Sequence, residues 1–376
     1  MAGIYLHIPF CASKCVYCGF YSVVSTSQRD AVLTALKQEM ELRRDYLGGA
    51  PIHTIYFGGG TPTLLAPDEV AALLADLHRH FPVASDAEIT MEGNPEQLTP
   101  DYCQTLRALG VNRLSIGVQS FHDPVLQFMG RRHTAREAIE AVHNAAAAGF
   151  HNISIDLIYG VSERDDRQWA DELQRLATLP VQHFSAYALT PEENSLLYKQ
   201  IQHGRHAPVD EEMATRQYQQ LTEYARGHGF EHYEVSNFAR PGFHSRHNSA
   251  YWDGTPYLGL GAAAHSFDGK SRQWNASNIA QYLRDLQEGK TCHEREDLSS
   301  EDRYNETLLL RLRTRDGLDL QALASEFGEQ RRKELLAYFE EEVPQEHYTL
   351  TKNRLCLTEA GLWFADGIAG NAFVES

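Results

Sequence analysis

The sequence predicts an α/β protein: a partial (βα)6 TIM-like barrel followed by a smaller C-terminal winged-helix-like α+β domain. Three observations predict it. Apolar strand-like runs alternate with helical periodicity six times in about 190 residues, and repeated βαβ crossovers require a parallel sheet. Chemistry-bearing residues recur at the C-terminal ends of those strands, where such sheets carry their function. After Ser300 the alternation stops, and three helical segments precede a hairpin pattern.

The first strand is Ile4–Ile8, ended by Pro9, and a cysteine-bearing loop follows it. Val32, Leu33, Leu36, Met40 and Leu42 mark a helix between about Gln28 and Tyr46. Strand Thr54–Phe57 breaks at Gly58-Gly59-Gly60-Thr61-Pro62-Thr63, and a helix over Pro67–His80 follows. Strand Glu88–Glu92, helix Tyr102–Leu109, strand Arg113–Val118 and helix Ala135–Ala148 continue the pattern. Strand Ile153–Ile158, helix Trp169–Ala177 and strand Phe184–Leu189 complete the barrel units. Asp210–Arg226 reads as a further helix and Glu231–Asn237 as a seventh strand. The segment 231–300 is otherwise loop-rich and aromatic, an ordered but irregular extension of the barrel domain 1–230. Domain 301–376 holds helices Tyr304–Arg313, Leu320–Phe327 and Arg331–Glu342 and strands Tyr348–Thr351 and Arg354–Thr358.

Charge and cysteine usage narrow the function classes. The net charge of −17 repels nucleic acid and anionic lipid. Winged helices often bind DNA, but residues 301–376 carry nine Lys/Arg against fifteen Asp/Glu, which argues against phosphate contacts. Six cysteines, three of them clustered, do not form a disulfide framework and suit a reducing compartment. Met1–Phe10 shows no basic-then-apolar secretory pattern, and no apolar run is long enough to cross a bilayer.

The chemistry centres on Cys11-Ala12-Ser13-Lys14-Cys15-Val16-Tyr17-Cys18. Three thiolates in one short loop are soft ligands, suited to zinc, copper(I) or an iron–sulfur cluster. A four-iron cluster closed by protein takes four cysteines, so three leave one iron open to a small molecule. A Cys3His zinc site using His7 and a set of reduced free thiols are the alternatives, although zinc signatures usually carry a second ligand pair. The extended pattern Cys-x3-Cys-x2-Cys-x-Phe, preceded by Tyr5-Leu6-His7-Ile8-Pro9-Phe10, resembles the radical S-adenosylmethionine (SAM) superfamily. Within it, the pattern is similar to the branch holding oxygen-independent coproporphyrinogen III dehydrogenase (HemN) and the related haem chaperones (HemW).

That resemblance implies a [4Fe–4S] cluster on Cys11, Cys15 and Cys18, with SAM on the open iron. Gly59, Gly60 and Thr61 match the segment that contacts the SAM amino group, where backbone carbonyls accept from an ammonium. Glu92, Gln119, Arg131 and Asp156 match polar SAM contacts, in Gly117-Val118-Gln119-Ser120-Phe121, Gly130-Arg131-Arg132-His133-Thr134 and Asp156-Leu157-Ile158-Tyr159-Gly160. Arg131 suits the methionine carboxylate and the acids suit ribose hydroxyls. Tyr5 and Tyr17 match aromatic positions lining SAM and cluster, with core packing as the plainer account.

His247-Asn248-Ser249-Ala250-Tyr251-Trp252 resembles the haem-binding motif of the chaperones, with His247 as the implied haem ligand. Phe20 stands where the dehydrogenases carry an extra cysteine, and the chain begins at its first strand. The resemblance therefore implies a cytoplasmic haem chaperone that binds haem and transfers it to client haemoproteins. It admits a homodimer and transient membrane association, and implies no nucleic acid partner. Coproporphyrinogen III oxidation by SAM-derived radicals is the rival reading.

Overall fold

Strand β1 (Ala2–Ile8) is buried at every position except the half-buried Tyr5, as expected of a parallel strand covered on both faces. In this computed structural model of residues 1–375, β1 leads through the cysteine loop to α1 (Arg29–Leu42). The alternation then runs β2 (Ile52–Gly59), α2 (Pro67–His80), β3 (Val83–Gly93), α3 (Pro100–Ala108) and β4 (Arg113–Gln119). Next come α4 (Asp123–Phe128), α5 (Ala135–Ala147), β5 (Ile153–Tyr159), α6 (Asp166–Leu176) and β6 (His183–Ala188). Local chemistry sets the helix starts: Thr134 and Glu137 form a reciprocal capping box on α5, and Asp165 and Gln168 form one on α6.

Strands β1 to β6 are parallel neighbours in chain order, the open six-unit barrel that the alternation predicts. Helices α7 (Leu196–Gln202) and α8 (Glu211–Gly227) follow. The expected seventh strand is a hairpin instead, β7 (Glu231–Glu234) and β8 (Asn237–Ala239), with β8 antiparallel to β6. Its turn is fixed by Ser236 N donating to Glu234 Oε1 at 3.1 Å.

The rest of 231–300 is not irregular. After α9 (Arg246–Trp252) come β9 (Tyr257–Leu260), β10 (His265–Phe267), β11 (Ser271–Trp274), α10 (Ile279–Gln287) and β12 (Glu294–Asp297). Strand β9 pairs parallel with β1, and β10, β11 and β12 extend that edge antiparallel. Segment 231–300 thus widens the sheet on both edges, and Leu258, Leu260, Ile279, Tyr282 and Leu286 join the barrel core. Strands of three or four residues give too few alternations for a period-two pattern, which is why this segment reads as loop.

A second core closes the C-terminal domain: Leu308 and Leu312 of α11 (Ser300–Leu312), Leu323 of α12 (Leu320–Phe327) and Phe339 of α13 (Glu329–Glu342), with Leu355. Its sheet has three antiparallel strands, β13 (Leu318–Asp319), β15 (Arg354–Leu357) and β14 (Tyr348–Leu350) in that order. Helices α14 (Glu359–Leu362) and α15 (Ala365–Asn371) follow, neither of them visible in the periodicity. No helix among the described residues is long and apolar enough to cross a membrane.

Candidate functional site

The cysteine loop hangs from the C-terminal end of β1, tied down by Cys11 N donating to Val23 O at 3.0 Å and Val16 N to Met129 O at 3.2 Å. Thr61 Oγ1 lies 3.6 Å from Cys11 Sγ, and Arg131 Nη1 lies 3.5 Å from Cys15 Sγ. Among the described residues no three His, Cys, Asp or Glu side chains converge as for a single ion. Cys11, Cys15 and Cys18 are free thiols on one short loop, the donor chemistry that a cubane with one open iron takes. His7 is committed elsewhere: Nδ1 lies 3.2 Å from Tyr5 Oη and Nε2 lies 2.9 Å from Tyr21 O. That removes the fourth ligand of the zinc alternative.

Cys11, Cys15, Cys18 and Tyr17 line one cavity of about 460 Å³ together with Gly59, Gly60, Thr61, Glu92, Gln119, Arg131 and Asp156. These groups come from five strand ends and the loops beyond them. The glycines act first within the protein. Gly59 has φ +106°, and a Cβ on Gly60 would stand 2.6 Å from Phe10 O. Bare backbone there lets the end of β2 pack against the start of the cysteine loop, with Thr61 N donating to Phe10 O at 2.8 Å.

Glu92 is held by Tyr56 Oη, donating at 2.8 Å, and by Gly59 N, donating at 3.2 Å. Burial nonetheless raises its pKa to about 7, with neighbouring Asp156 adding to the shift. Burial also raises Asp156, against the pull of Ser185 and Arg113. Arg131 Nη2 donates to Asn94 Oδ1 at 2.6 Å and Gly117 O at 2.7 Å. Asn94 Nδ2 in turn donates to Thr61 Oγ1 at 3.2 Å.

Gln119 sits in the left-handed region at φ +67°, which costs a non-glycine residue about 1–2 kcal/mol. The next residues are clamped: Ser120 Oγ and Phe121 N donate to the buried Glu172 at 2.6 and 2.9 Å. Arg164 pairs with Glu172 at 3.0 Å and donates to Ile158 O at 2.8 Å, so one buried ion pair ties the ends of β4 and β5 together. Asn94 and this ion pair were not singled out by sequence. Gly93-Asn94-Pro95 at a strand end is the signal that could have found Asn94.

Tyr5 and His247 lie outside this cavity. Tyr5 stacks toward Tyr56, with ring centroids 6.0 Å apart. His247 differs from the loop residue expected: it lies on α9, 2% exposed, its ring stacked on Tyr56 at 4.9 Å. Its Nδ1 lies 2.8 Å from Thr54 Oγ1 and its Nε2 2.9 Å from Tyr251 Oη. Burial, with Arg113 behind it, lowers its pKa to about 3, so the imidazole is neutral. Tyr251 and Trp252 of the same motif instead line a second cavity of about 1270 Å³, between the barrel edge and the C-terminal domain. Lys14, Gly19 and Phe20 line both cavities, so the cysteine loop is their shared wall.

The model of the radical SAM superfamily matches residues 5–176, and that of the HemN C-terminal domain matches residues 298–364. The structure is similar to coproporphyrinogen III oxidase (HemN) from Escherichia coli, a radical SAM enzyme, with a TM-score of 0.86 over 99% of this chain and 90% of that one. At 24% identity that likeness speaks for the fold. Sheet, cysteine loop and C-terminal domain together define the class, a radical SAM fold of the HemN type. The chain is 35% identical to the haem chaperone HemW of Mycobacterium tuberculosis, across 97% of this chain and 93% of that protein. It is 34% identical to HemW of Bacillus subtilis, across 87% of each. The chain belongs to the HemW family.

Proposed function

We propose that the protein is a cytoplasmic haem chaperone, which binds haem and passes it to client haemoproteins. The observation that carries this reading is the relation to HemW proteins along 97% of the chain. The wide aromatic cavity beside Tyr251 and Trp252 supports it, because a flat apolar macrocycle needs such a lining.

The same reading assigns Cys11, Cys15 and Cys18 to a [4Fe–4S] cluster whose fourth iron takes SAM. The bound cluster and SAM supply a redox centre next to the haem cavity. Thr61 Oγ1 and Arg131 Nη1 lie 3.6 and 3.5 Å from the Cys11 and Cys15 sulfurs, so both donors reach the thiols from the cavity wall. Arg131 is the one guanidinium in the smaller cavity already oriented, by Asn94 and Gly117, to take a carboxylate such as that of SAM's methionine portion. Gly59, Gly60, Glu92, Gln119 and Asp156 complete the lining together with Tyr17, and Tyr5 lines the larger cavity beside it. The family reading also includes a homodimer and transient contact with membranes.

Anaerobic reconstitution with iron, sulfide and SAM, followed by haem titration, tests the proposal. Stoichiometric haem uptake and transfer to an apo-haemoprotein are expected. Conversion of coproporphyrinogen III to protoporphyrinogen, without haem uptake, would overturn it in favour of the dehydrogenase.

A further inference from the structure

The larger cavity has two walls of different origin. One is the ribbon β9–β10–β11, whose alternation turns His265 and Phe267 to the cavity side and buries Ser266. Across the ribbon His265 pairs with Trp274 and Phe267 with Arg272. The His265 ring lies over Trp274, centroids 5.8 Å apart and planes 25° apart. The other wall is a single face of α11, where Arg303, Glu306, Thr307, Leu310 and Arg311 recur at helical spacing.

Two histidines line this cavity, and they differ in what their nitrogens do. His7 has both engaged, by Tyr5 Oη and Tyr21 O. His265 is exposed, and among the described residues neither of its ring nitrogens has a hydrogen-bond partner. Partial enclosure of the ring between the cavity walls, with the neighbouring Arg272, lowers its pKa and favours the neutral form, the one that ligates metals.

The backbone beneath it is fixed. A Cβ on Gly259 would stand 1.9 Å from His265 O, and Gly259 N donates to Ser266 Oγ at 2.9 Å. Ala263, two residues before, is held in the left-handed region at φ +65°. Buried Glu39 on α1 accepts from Gly261 N at 2.9 Å, Asn275 Nδ2 at 2.7 Å and Tyr282 Oη at 2.8 Å, locking the same turn. Backbone strain of this kind persists only where surrounding structure over-determines it, and it concentrates at ligand sites.

The cavity lining mixes cations, Lys14 among them, with the carboxylates Asp253, Glu306, Asp319 and Glu326, and its arginines differ in how they are partnered. Arg272 and Arg303 are paired with Glu306 and Glu326, at 3.0 and 2.9 Å. Arg311 and Arg354 donate only to backbone carbonyls, Asp253 O at 3.1 Å and Asp316 O at 2.7 Å. Among the described residues neither has a carboxylate within ion-pair distance.

We propose that haem occupies this cavity with His265 as its axial ligand and with Arg311 and Arg354 as partners for its propionates. The proposal rests on the haem-chaperone reading and goes further, since it assigns ligation to a residue outside the His-Asn-x-x-Tyr-Trp motif. His247 then supports the cavity through Tyr251 without reaching iron.

The test uses full-length reconstituted protein titrated with haem, read by Soret and electron paramagnetic resonance spectra. His265→Ala is expected to lose the imidazole-ligated signature, to regain it with free imidazole, and to release haem to apomyoglobin about tenfold faster, about 1.4 kcal/mol. His265→Tyr, which keeps a ring over Trp274, is expected to show a phenolate-type spectrum. His247→Ala, assayed below its melting temperature, should keep the imidazole signature. If both His265 variants retain the wild-type spectrum, the ligand assignment is overturned while the chaperone reading stands. If the wild-type protein takes up no stoichiometric haem, both are overturned.

Discussion

His247 Nε2 lies 2.9 Å from Tyr251 Oη, one helical turn further along α9. The imidazole faces into the barrel and the phenol carries its contact outward to the larger cavity. The motif is thus divided: its histidine is buried, and its aromatic pair lines the larger cavity. Removing the buried ring should cost stability. His247→Ala breaks bonds to Thr54 and Tyr251 and leaves a buried void, so a loss of about 2–4 kcal/mol is expected in urea unfolding. Thr54→Val, which strands only Nδ1, should cost less, about 1–3 kcal/mol. A neutral His247→Ala variant would show that the stacked, bonded ring is not structural.

The cluster assignment makes a sharp division among the six cysteines. Cys11→Ala, Cys15→Ala or Cys18→Ala should each abolish the visible absorbance of protein reconstituted with iron and sulfide. Cys103→Ala, Cys292→Ala and Cys356→Ala should keep it, since those thiols do not line the cavity that the loop closes. Stoichiometric zinc with no iron uptake would contradict the assignment.

Arg131 links Cys15, Asn94 and Gly117, and it offers charge to the smaller cavity. Arg131→Ala should weaken the change that SAM produces in the reduced cluster's electron paramagnetic resonance spectrum, because a charge-assisted bond of about 1.5–3 kcal/mol is lost. An apparent SAM affinity unchanged in that titration would exclude Arg131 as a contact.

Glu92 predicts a pH dependence. Its pKa rises from an ordinary 4.5 to about 7 in the folded protein. The folded state therefore holds that proton more tightly than the unfolded one, and stability falls as pH climbs through this interval. The full effect is about 3 kcal/mol, reached above pH 7. Glu92→Gln carries no such proton. Urea titrations at pH 5 and pH 8 should show the wild type losing stability relative to Glu92→Gln, and parallel behaviour would refute the shift.

Glu172 holds the strained end of β4 through Ser120 and Phe121 and neutralises the buried Arg164. Glu172→Ala should cost about 3–5 kcal/mol by stranding that guanidinium. It should also loosen Gln119, so SAM binding should weaken in the folded fraction. A combined Arg164→Met, Glu172→Met variant should recover much of the stability, because the uncompensated charge is gone.

The sequence by itself determined the parallel barrel, because each βα unit carries long runs with a clear period, such as Ile153–Tyr159 followed by Asp166–Leu176. It also indicated which strand ends meet at the smaller cavity, since parallel strands in chain order bring all their C-terminal ends to one side, although Tyr5 falls outside that cavity. Contacts between distant segments were decided only by the tertiary structure. Beyond the one strand legible at Glu231–Asn237, the segment up to Asp297 does not announce the strands that flank β1 on one edge, nor the hairpin that pairs with β6 on the other. Strands this short draw their stability from neighbours far away in the chain. The direction of His247 was decided the same way. A histidine beside two aromatics reads equally well as a ligand or a brace, and only the approach of Thr54 and Tyr56, nearly two hundred residues earlier, commits its ring to the interior.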